Sequence, residues 1–302
     1  MVFERKVKSN GKEHWILVHN IRKGKKITQK SKYIGKTLPP KARLERLKKE
    51  FLNEIKKGRY KYLSNEEVEK IEKLKQDYNN NLRKLTLTEK KEKLKEFIIR
   101  FTYDSSKLSG VNITLRQTSL ILKEGIMPKD FKNLRIAKEI ENHKNGVLAI
   151  TRYRDNLNIR FLKKLHTLLM LGIEDEIAGK LRSELKRDVK IAGTSYVPPK
   201  WQILDKEIEN FFGWYKKENR ILHPLELAAL VHLKIISLQL FVDGNSRLSR
   251  LVMNWILWKK GYPLIDIPIE DIENYYDVLD KYQIEKKERP FINYIKQKYF
   301  ES

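Results

Sequence analysis

The residues best suited to chemistry lie in Leu238–Arg250, which reads LQLFVDGNSRLSR. Gly244 precedes a run with helical spacing, and the first turn of a helix presents free N–H groups and a positive dipole end to an anion. Arg247 and Arg250 stand three residues apart and share one helix face, where two guanidinium groups could bind a phosphate chain. Asp243 could hold a Mg²⁺ ion that neutralises the same phosphates. A capped helix whose arginines bind carboxylates elsewhere in the fold explains this pattern equally well.

Composition narrows the class of protein. The chain has 302 residues, of which 40% are hydrophobic, so it can bury a sizeable core and is not a disordered protein. Its 64 Lys and Arg outnumber 39 Asp and Glu and give a formal net charge of +25. This charge favours a polyanionic partner, such as nucleic acid, a nucleotide or an acidic protein face. A solvated surface rich in Lys and Glu, often met in proteins of hot environments, accounts for it equally well.

The residue types that are missing exclude several kinds of site. The sequence has no cysteine, so disulfides, thiolate metal sites and cysteine nucleophiles are excluded. The six histidines do not cluster at metal-ligand spacings, which argues against a dedicated zinc site. No segment reaches the roughly 20 apolar residues of a membrane span, and the first residues, MVFERKVKSNGKEH, lack the apolar core of a signal peptide. We therefore expect a cytoplasmic protein that makes no membrane contact.

Residues 1–38 have the pattern of a small antiparallel β-meander. Asn10-Gly11 and Gly24 separate runs rich in β-branched and aromatic residues, as turns between strands do. Pro39-Pro40 ends the region, because proline cannot donate to a strand ladder. Residues 1–50 carry sixteen Lys and Arg against four Asp and Glu, so a nucleic-acid contact through 1–38 is one hypothesis. A surface that docks a protein partner, or a merely solvated hairpin, is the alternative.

The rest of the chain is predicted to be helical, because Leu, Phe and Ile recur at three- and four-residue spacings from Lys41 onward. We expect a helical hairpin or linker at 39–84 and one helical domain of about eight helices at 85–302. One interruption is a short β-hairpin flap at about 187–199, where Gly193 stands among β-branched residues before two prolines. The predicted fold class is therefore mainly α, preceded by a small antiparallel β-meander.

The phosphate-holding turn and the regions around it resemble the Fic (Fido) domain family. QLFVDGNSR is similar to the family signature, which runs His-Pro-Phe-x-Asp/Glu-Gly-Asn-Gly-Arg and has a second Arg three residues on. The resemblance extends over about 97–300 and includes the helix before the signature, the flap region and two closing helices. The residues that match the signature are Phe241, Asp243, Gly244, Asn245, Arg247 and Arg250. The implied fold is a Fic-type helical bundle.

This resemblance also implies an activity. Members of the family transfer AMP from ATP to a Ser, Thr or Tyr hydroxyl of a target protein. It therefore implies that ATP or another nucleoside triphosphate binds with Mg²⁺, and that the chain has a protein target or partner. Because such domains often dimerise, a homodimer is implied as well. The metal is assigned to Asp243, and the phosphates are assigned to Gly244, Asn245, Ser246, Arg247 and Arg250.

Gln239 stands at the position of the signature histidine, which is the general base in the family. An amide can accept a hydrogen bond from a hydroxyl but cannot keep its proton, and loss of a positioned base costs about 10²–10⁴ in rate. We therefore expect impaired AMP transfer and a role as an ATP-binding regulator or scaffold. The alternatives are a slow but active nucleotidyl or phosphoryl transferase and a nucleic-acid-binding protein. His232 lies about 10 Å further up the helix and is expected to be structural.

Two smaller departures accompany the glutamine. Leu240 replaces the signature proline, and Ser246 replaces the second glycine, adding a side chain where a backbone N–H would face a phosphate. A serine hydroxyl can itself donate to an anion. We therefore expect weakened nucleotide binding rather than its loss.

Residues 105–110 resemble the inhibitory helix of many family members, in which a Glu pairs with the second signature arginine. Ser105 and Gly110 are in register, but Ser109 stands where the Glu would be. We therefore expect Arg250 to be free for phosphate. In relatives that remove AMP this Glu serves the hydrolysis, so that activity is disfavoured too. Base and inhibitory carboxylate are missing together, which fits a non-catalytic role.

Overall fold

The computed structural model describes residues 2–9, 11–23, 26–56, 60–128 and 133–301. The chain divides into two compact units, Met1–Lys70 and Ile71–Ser302. Asn10 and Gly24, which the sequence places in the turns of the meander, lie outside the described residues. The three-part division predicted from the sequence, at 1–38, 39–84 and 85–302, stays a prediction.

The first unit contains a three-stranded antiparallel sheet in the order β1 (Val2–Ser9), β2 (Lys12–Lys23) and β3 (Lys26–Gly35). The predicted meander is therefore confirmed. Helix α1 (Lys41–Lys56) packs on one face of the sheet, where Leu17 of β2 contacts a small apolar cluster. The alternation of side chains along a strand places such residues on one face and leaves polar residues on the other. The other members of the cluster are Leu44, Phe51, Val2, Ile34 and Leu47.

Helices make up the second unit, as the sequence predicts. After α2 (Asn65–Lys84) the described helices are α3 (Leu87–Lys107), α4 (Leu115–Ser119), α5 (Leu134–Arg152), α6 (Ile159–Met170), α7 (Arg182–Leu185), α8 (Trp201–Glu218), α9 (Pro224–Leu238), α10 (Asn245–Lys259), α11 (Ile272–Gln283) and α12 (Arg289–Glu301). A π-helical turn at Leu120–Glu124 follows α4, and a 3₁₀ turn at Ile269–Asp271 precedes α11. The mainly α fold class is therefore confirmed.

The pair α9 and α10 forms the centre of this unit. Helix α9 is apolar on nearly every face and almost entirely buried, as expected for a helix surrounded by others. It packs against α8, α11 and α12, whereas α10 packs against α3, α5 and α6. The turn 239–244 joins the two helices. The candidate site residues of this turn therefore lie at one end of a pair of largely buried helices.

The start of α9 is fixed by its capping residues. His223 Nδ1 accepts a hydrogen bond from the backbone N–H of Leu225 at 3.2 Å, and the Glu226 carboxylate accepts one from the N–H of His223 at 3.1 Å. Pro224 occupies the first helical position, where its missing N–H costs no hydrogen bond. These contacts set the register of α9 and therefore the place where the turn begins.

The predicted β-hairpin flap at 187–199 is wrong, because this segment forms no strand ladder. It is an extended segment that reverses at Gly193, which has a φ of +81°. Its polar groups bond to helices instead: Thr194 Oγ1 donates to Asp280 at 2.8 Å, and the Tyr196 hydroxyl donates to the carbonyl of Ser237 at 3.0 Å. Because helices satisfy these groups, β-branched composition alone does not produce a ladder.

In the part of the chain that the structure describes, none of the helices combines the length and the apolar character that crossing a membrane requires.

Candidate functional site

The turn between α9 and α10 is held in two left-handed backbone positions, Gln239 at φ +46° and Gly244 at φ +75°. Glycine adopts this conformation without cost, whereas glutamine does so at a small cost in free energy. The Gln239 side chain contributes two hydrogen bonds to the turn. Its Nε2 donates to the carbonyl of Ile236 at 2.8 Å, and its Oε1 accepts from Asn245 Nδ2 at 2.9 Å. Both ends of the amide are therefore bonded within the protein.

Asn245 bonds across the same turn. Its Nδ2 also donates to the carbonyl of Phe241 at 2.7 Å, and its Oδ1 accepts from the backbone N–H of Phe241 at 3.0 Å. The side chain thus closes the turn onto the start of α10. Its predicted contact with a phosphate stays a prediction.

His166 on α6 contacts the turn through a hydrogen bond and a stacked ring. The sequence did not indicate this residue. Its Nδ1 accepts from the N–H of Gly179 at 2.9 Å, so the ring proton lies on Nε2, which donates to the carbonyl of Asp243 at 3.0 Å. The ring also stacks on Phe241 with 3.8 Å between ring centroids. Burial lowers the pKa of His166 to about 4, which keeps the ring neutral near pH 7. A single histidine on the apolar face of an amphipathic helix gives no sequence signal for this contact.

Arg250 is completely buried, and the end of α3 binds it. Its Nε donates to Ser105 Oγ at 2.9 Å, and its Nη2 donates to the carbonyl of Ser105 at 2.7 Å and to Ser109 Oγ at 2.8 Å. The expectation that Arg250 is free was therefore wrong: the serine that replaces the inhibitory Glu still reaches the guanidinium. These three acceptors are neutral, so they orient the group without cancelling its charge.

Arg247 is 6% exposed and pairs with a carboxylate from a different helix. Its Nη1 lies 3.0 Å from Glu139 Oε2, and its Nη2 lies 3.7 Å from Asp243 Oδ2. Glu139 is on α5 and was not found by sequence analysis. The sequence left open an Asp- or Asn-capped helix with arginines bound to carboxylates as an alternative to the phosphate site. Arg247 does contact carboxylates, but the N-cap residue Gly244 makes no side-chain hydrogen bond, and phosphate binding stays a prediction.

A cavity of about 590 Å³ opens beside the turn, which is within the size range of small-molecule sites. Residues of the turn, the end of α3, Glu139 and the first part of the flap segment line it. From the turn these are Gln239, Val242, Asp243, Gly244, Asn245, Ser246 and Arg247, and from elsewhere Leu108, Ser109, Gly110, Val111, Glu139, Val189, Lys190, Ile191, Ala192 and Tyr276. The structure therefore brings the predicted turn residues and Ser109 to one cavity, with Arg250 bonded to Ser109 at its edge.

The cavity has features that suit an anion and a hard cation. The N-cap of α10 is Gly244, which offers no side-chain hydrogen bond, so the first-turn N–H groups remain available to a ligand. The side chain of Asp243 is 56% exposed. Within the described ranges no three His, Cys, Asp or Glu residues are grouped as a metal site. A single carboxylate fits Mg²⁺, which typically keeps several waters and shares phosphate oxygens.

His232 lies in the core and does not line the cavity. Its Nε2 is 3.0 Å from the Tyr275 hydroxyl, and its ring stacks on Phe291 with centroids 5.0 Å apart. Burial lowers the pKa of His232 to about 3. The structural role expected from the sequence agrees with this placement.

We predict that His166 makes the stability of the chain depend on pH. Its folded pKa, about 4, lies below the ordinary value of 6.5, so between these values the unfolded state binds more protons and stability falls as pH decreases. The loss attributable to this one group is about 3 kcal/mol at 1.36 kcal/mol per unit. Urea unfolding of wild type and His166→Gln at pH 7.5 and pH 4.5 checks this. The variant should lose less stability on acidification, and an identical loss in both proteins would contradict the prediction.

Similarity to known proteins agrees with this geometry. The family model of the Fic/DOC family matches residues 156–257, which include the turn and most of α10. The chain is 30% identical over 212 residues to the protein adenylyltransferase Fic of Nematostella vectensis, covering 68% of this chain and 48% of that protein. It is 34% identical over 211 residues to the protein of the same name from Drosophila virilis, covering 67% of this chain and 41% of that one. The chain thus spans less than half the length of these relatives.

Solved structures support the same assignment. A Fic domain containing signaling protein from Bacteroides thetaiotaomicron superposes with a TM-score of 0.68 at 25% identity, covering 78% of this chain and 94% of that chain. Fic-1 from C. elegans superposes with a TM-score of 0.66 at 20% identity, covering 86% and 74%, which shows the shared fold. With the signature turn, the surrounding helices and these similarities in agreement, the chain belongs to the Fic/DOC family.

Proposed function

We propose that this chain binds a nucleoside triphosphate, ATP in the first instance, together with Mg²⁺ in the cavity beside the turn. We further propose that it transfers AMP to protein hydroxyls weakly and acts mainly as a nucleotide-dependent regulator or scaffold. The names of the relatives support the reaction class, because they are protein adenylyltransferases. The partner of such a chain would be a protein that presents an exposed hydroxyl to the cavity.

The phosphate side of the cavity supports nucleotide binding. Gly244 lets a phosphate approach the backbone, and the first turn of α10 offers its N–H groups. Arg247 lines the cavity and supplies a guanidinium group that can bind phosphate oxygens in a fork, and Arg250, buried behind Ser109, adds a second positive charge. Asp243 would hold Mg²⁺, whose charge would neutralise the phosphates when bound. The half-buried Ser246 offers a hydroxyl at the same edge.

The bonding of Gln239 is the single observation that carries the proposal of weak transfer. Its Oε1 already accepts from Asn245, and its Nε2 already donates to Ile236. A base must accept and keep the proton of the attacking hydroxyl. An amide oxygen cannot keep it, and here one of the two lone pairs of Oε1 is already used by Asn245. What remains is positioning of the reactants and stabilisation of charge, which leave a slow reaction.

We predict that ATP binds the wild-type chain in the presence of Mg²⁺ with a dissociation constant in the micromolar range. Arg247→Ala should weaken binding at least about tenfold, because it removes one phosphate ligand and leaves the negative charge of Glu139 in the cavity with only the half-exposed Arg135 as its partner. Isothermal titration calorimetry checks this, with the exposed Arg154→Ala as the control. Absence of heat in wild type, or equal affinity in both arginine variants, would contradict the proposed site.

A second prediction concerns the chemical step. Gln239→His should raise the rate of AMP transfer by about 10²–10⁴, because it restores a positioned base. The assay follows labelled AMP from ATP onto the chain itself and onto a mixture of added proteins. Gln239→Ala is the control and should stay at or below the wild-type rate, and calorimetry should show that both variants still bind ATP. Wild type transferring AMP as fast as Gln239→His would refute the assigned role of Gln239.

Nucleic-acid binding by the β-sheet unit is a second candidate function, favoured by its exposed cations. Arg5 and Lys8 on β1 and Lys30 on β3 are exposed, and residues 1–50 carry sixteen basic against four acidic residues. Cations spaced along a small sheet suit contacts with phosphates, whose release of counterions makes binding depend on salt.

We predict that the chain binds duplex DNA with an affinity that falls steeply as salt rises. Replacing the three cations by Gln should weaken binding for every DNA sequence and reduce the salt slope by about one for each phosphate that the variant no longer neutralises. Fluorescence anisotropy at several salt concentrations measures both quantities. The control replaces three exposed lysines of α8, which are Lys206, Lys216 and Lys217. Binding that is absent, or insensitive to salt, would exclude this function.

A further inference from the structure

We propose that the carboxylate of Glu139 occupies part of the phosphate position at Arg247 and thereby sets how tightly the cavity binds a nucleotide. This inference rests on the proposed function, since it concerns the same cavity. It assigns an affinity-determining residue to α5, a helix that contributes nothing to the signature turn. It also differs from the inhibitory segment at 105–110, which contacts Arg250 rather than Arg247.

The contacts of Arg247 leave little of its guanidinium free for a ligand. Nη1 is bonded to Glu139 Oε2 at 3.0 Å, and Nη2 faces Asp243 Oδ2 at 3.7 Å. Nε is buried and has no hydrogen-bond partner among the described residues. A phosphate oxygen that bound Arg247 in a fork would need the two η nitrogens, so it would have to displace a carboxylate from at least one of them.

Because Glu139 is buried, its interaction with Arg247 competes more strongly with a phosphate than the interaction of Asp243 with Arg247 does. Glu139 is 9% exposed, whereas the Asp243 side chain is 56% exposed and can turn toward solvent or a metal ion. Two opposite charges about 3 Å apart interact more strongly where water is excluded. A nucleotide phosphate therefore competes mainly with Glu139 for the positive charge of Arg247.

Arg135 gives Glu139 a second partner, which is exposed to solvent. Its Nε lies 3.3 Å from Glu139 Oε1, and its Nη2 binds the carboxylate of Glu174. One carboxylate is thus shared between Arg247 in the cavity and Arg135, whose side chain is 51% exposed. When a phosphate takes Arg247, Arg135 still holds the charge of Glu139, which lowers the free-energy cost of the exchange. Arg135 thereby shifts the competition toward the nucleotide.

The charges of Arg247 and Arg250 are therefore compensated differently. Arg250 is oriented by the neutral oxygens of Ser105 and Ser109, so its charge stays uncompensated by them. Arg247 is neutralised by an acidic residue. Because Arg247 lines the cavity whereas Arg250 is fully buried and does not, a ligand phosphate has to displace Glu139 from Arg247, whereas adenosine, which has no phosphate, does not. Glu139 should therefore affect the binding of ligands that carry phosphate and not of those that lack it.

The test measures the affinity for ATP in two variants, one that removes the competing charge of Glu139 and one that strengthens its hold on Arg247. Glu139→Gln keeps the shape of the side chain and removes its charge, so ATP with Mg²⁺ should bind about tenfold tighter, while adenosine affinity should not change. Arg135→Gln removes the partner that holds Glu139 away from Arg247, so ATP should bind several-fold weaker. Because Arg135 is half exposed, this variant should fold normally. Glu141→Gln, exposed and two residues along α5, is the control and should match wild type.

The outcomes separate this inference from the proposed function. Wild type binding ATP with Glu139→Gln binding equally or more weakly would overturn the inference and leave the proposed function standing. Failure of every variant to bind ATP would overturn both. Tighter binding of adenosine and ATP alike in Glu139→Gln would mean a general change of the cavity and would also overturn it. Binding seen only in Glu139→Gln would support the competition by Glu139 and would overturn the proposal that the wild-type chain binds ATP.

Discussion

Two guanidinium groups lie buried at the start of one helix, and the arrangement of the surrounding elements follows from that constraint. Arg247 and Arg250 are almost or completely inaccessible, and a buried charge is costly unless hydrogen bonds or an opposite charge compensate it. The end of α3 supplies three neutral oxygens to Arg250, and α5 supplies a carboxylate to Arg247. Three helices that are distant in sequence are thereby fixed around one turn, and a cavity remains where their ends meet.

The glutamine at the base position has a structural consequence of its own. In this chain the side chain closes the turn by bonding Ile236 and Asn245, and His166 holds the other side of the turn through the carbonyl of Asp243. The loop geometry therefore does not depend on a base at that position. Under the proposed function, phosphate binding would depend on N–H groups and cations, whereas proton transfer would depend on basicity, so a change at this position would affect the second and not the first.

Features that depend on neighbouring residues could be predicted from the sequence, whereas features that depend on distant contacts could not. The β-meander and the long helices follow from local periodicity and turn residues, and the break between α9 and α10 follows from Gly244 ahead of a run with helical spacing. The flap at 187–199 was predicted as a hairpin because its composition is β-branched, but its hydrogen bonds go to helices that the local pattern does not contain. Local signals therefore predicted elements well and failed where distant partners decide the backbone.

Within the site, sequence reasoning failed wherever a contact crosses a long stretch of chain. Glu139 is one carboxylate on a charged amphipathic helix, and His166 is one histidine on the apolar face of an amphipathic helix, so neither has a spacing that indicates a ligand. Ser109 was predicted to leave Arg250 free because it lacks a carboxylate, yet its hydroxyl is close enough to accept a hydrogen bond. The residue type correctly indicated that Ser109 brings no negative charge to Arg250. It did not indicate that the Ser109 hydroxyl lies within hydrogen-bond distance of the guanidinium.

The most direct test of the central claim is to identify the nucleotide and the protein mass after prolonged incubation of the full chain with ATP, Mg²⁺ and a mixture of candidate proteins. A cavity that binds a triphosphate without an effective base predicts that most of the bound nucleotide is recovered as intact ATP and that AMP adducts accumulate about 10²–10⁴ more slowly than with Gln239→His in parallel. AMP adducts that accumulate as fast as with Gln239→His, or a chain recovered without nucleotide, would contradict the account.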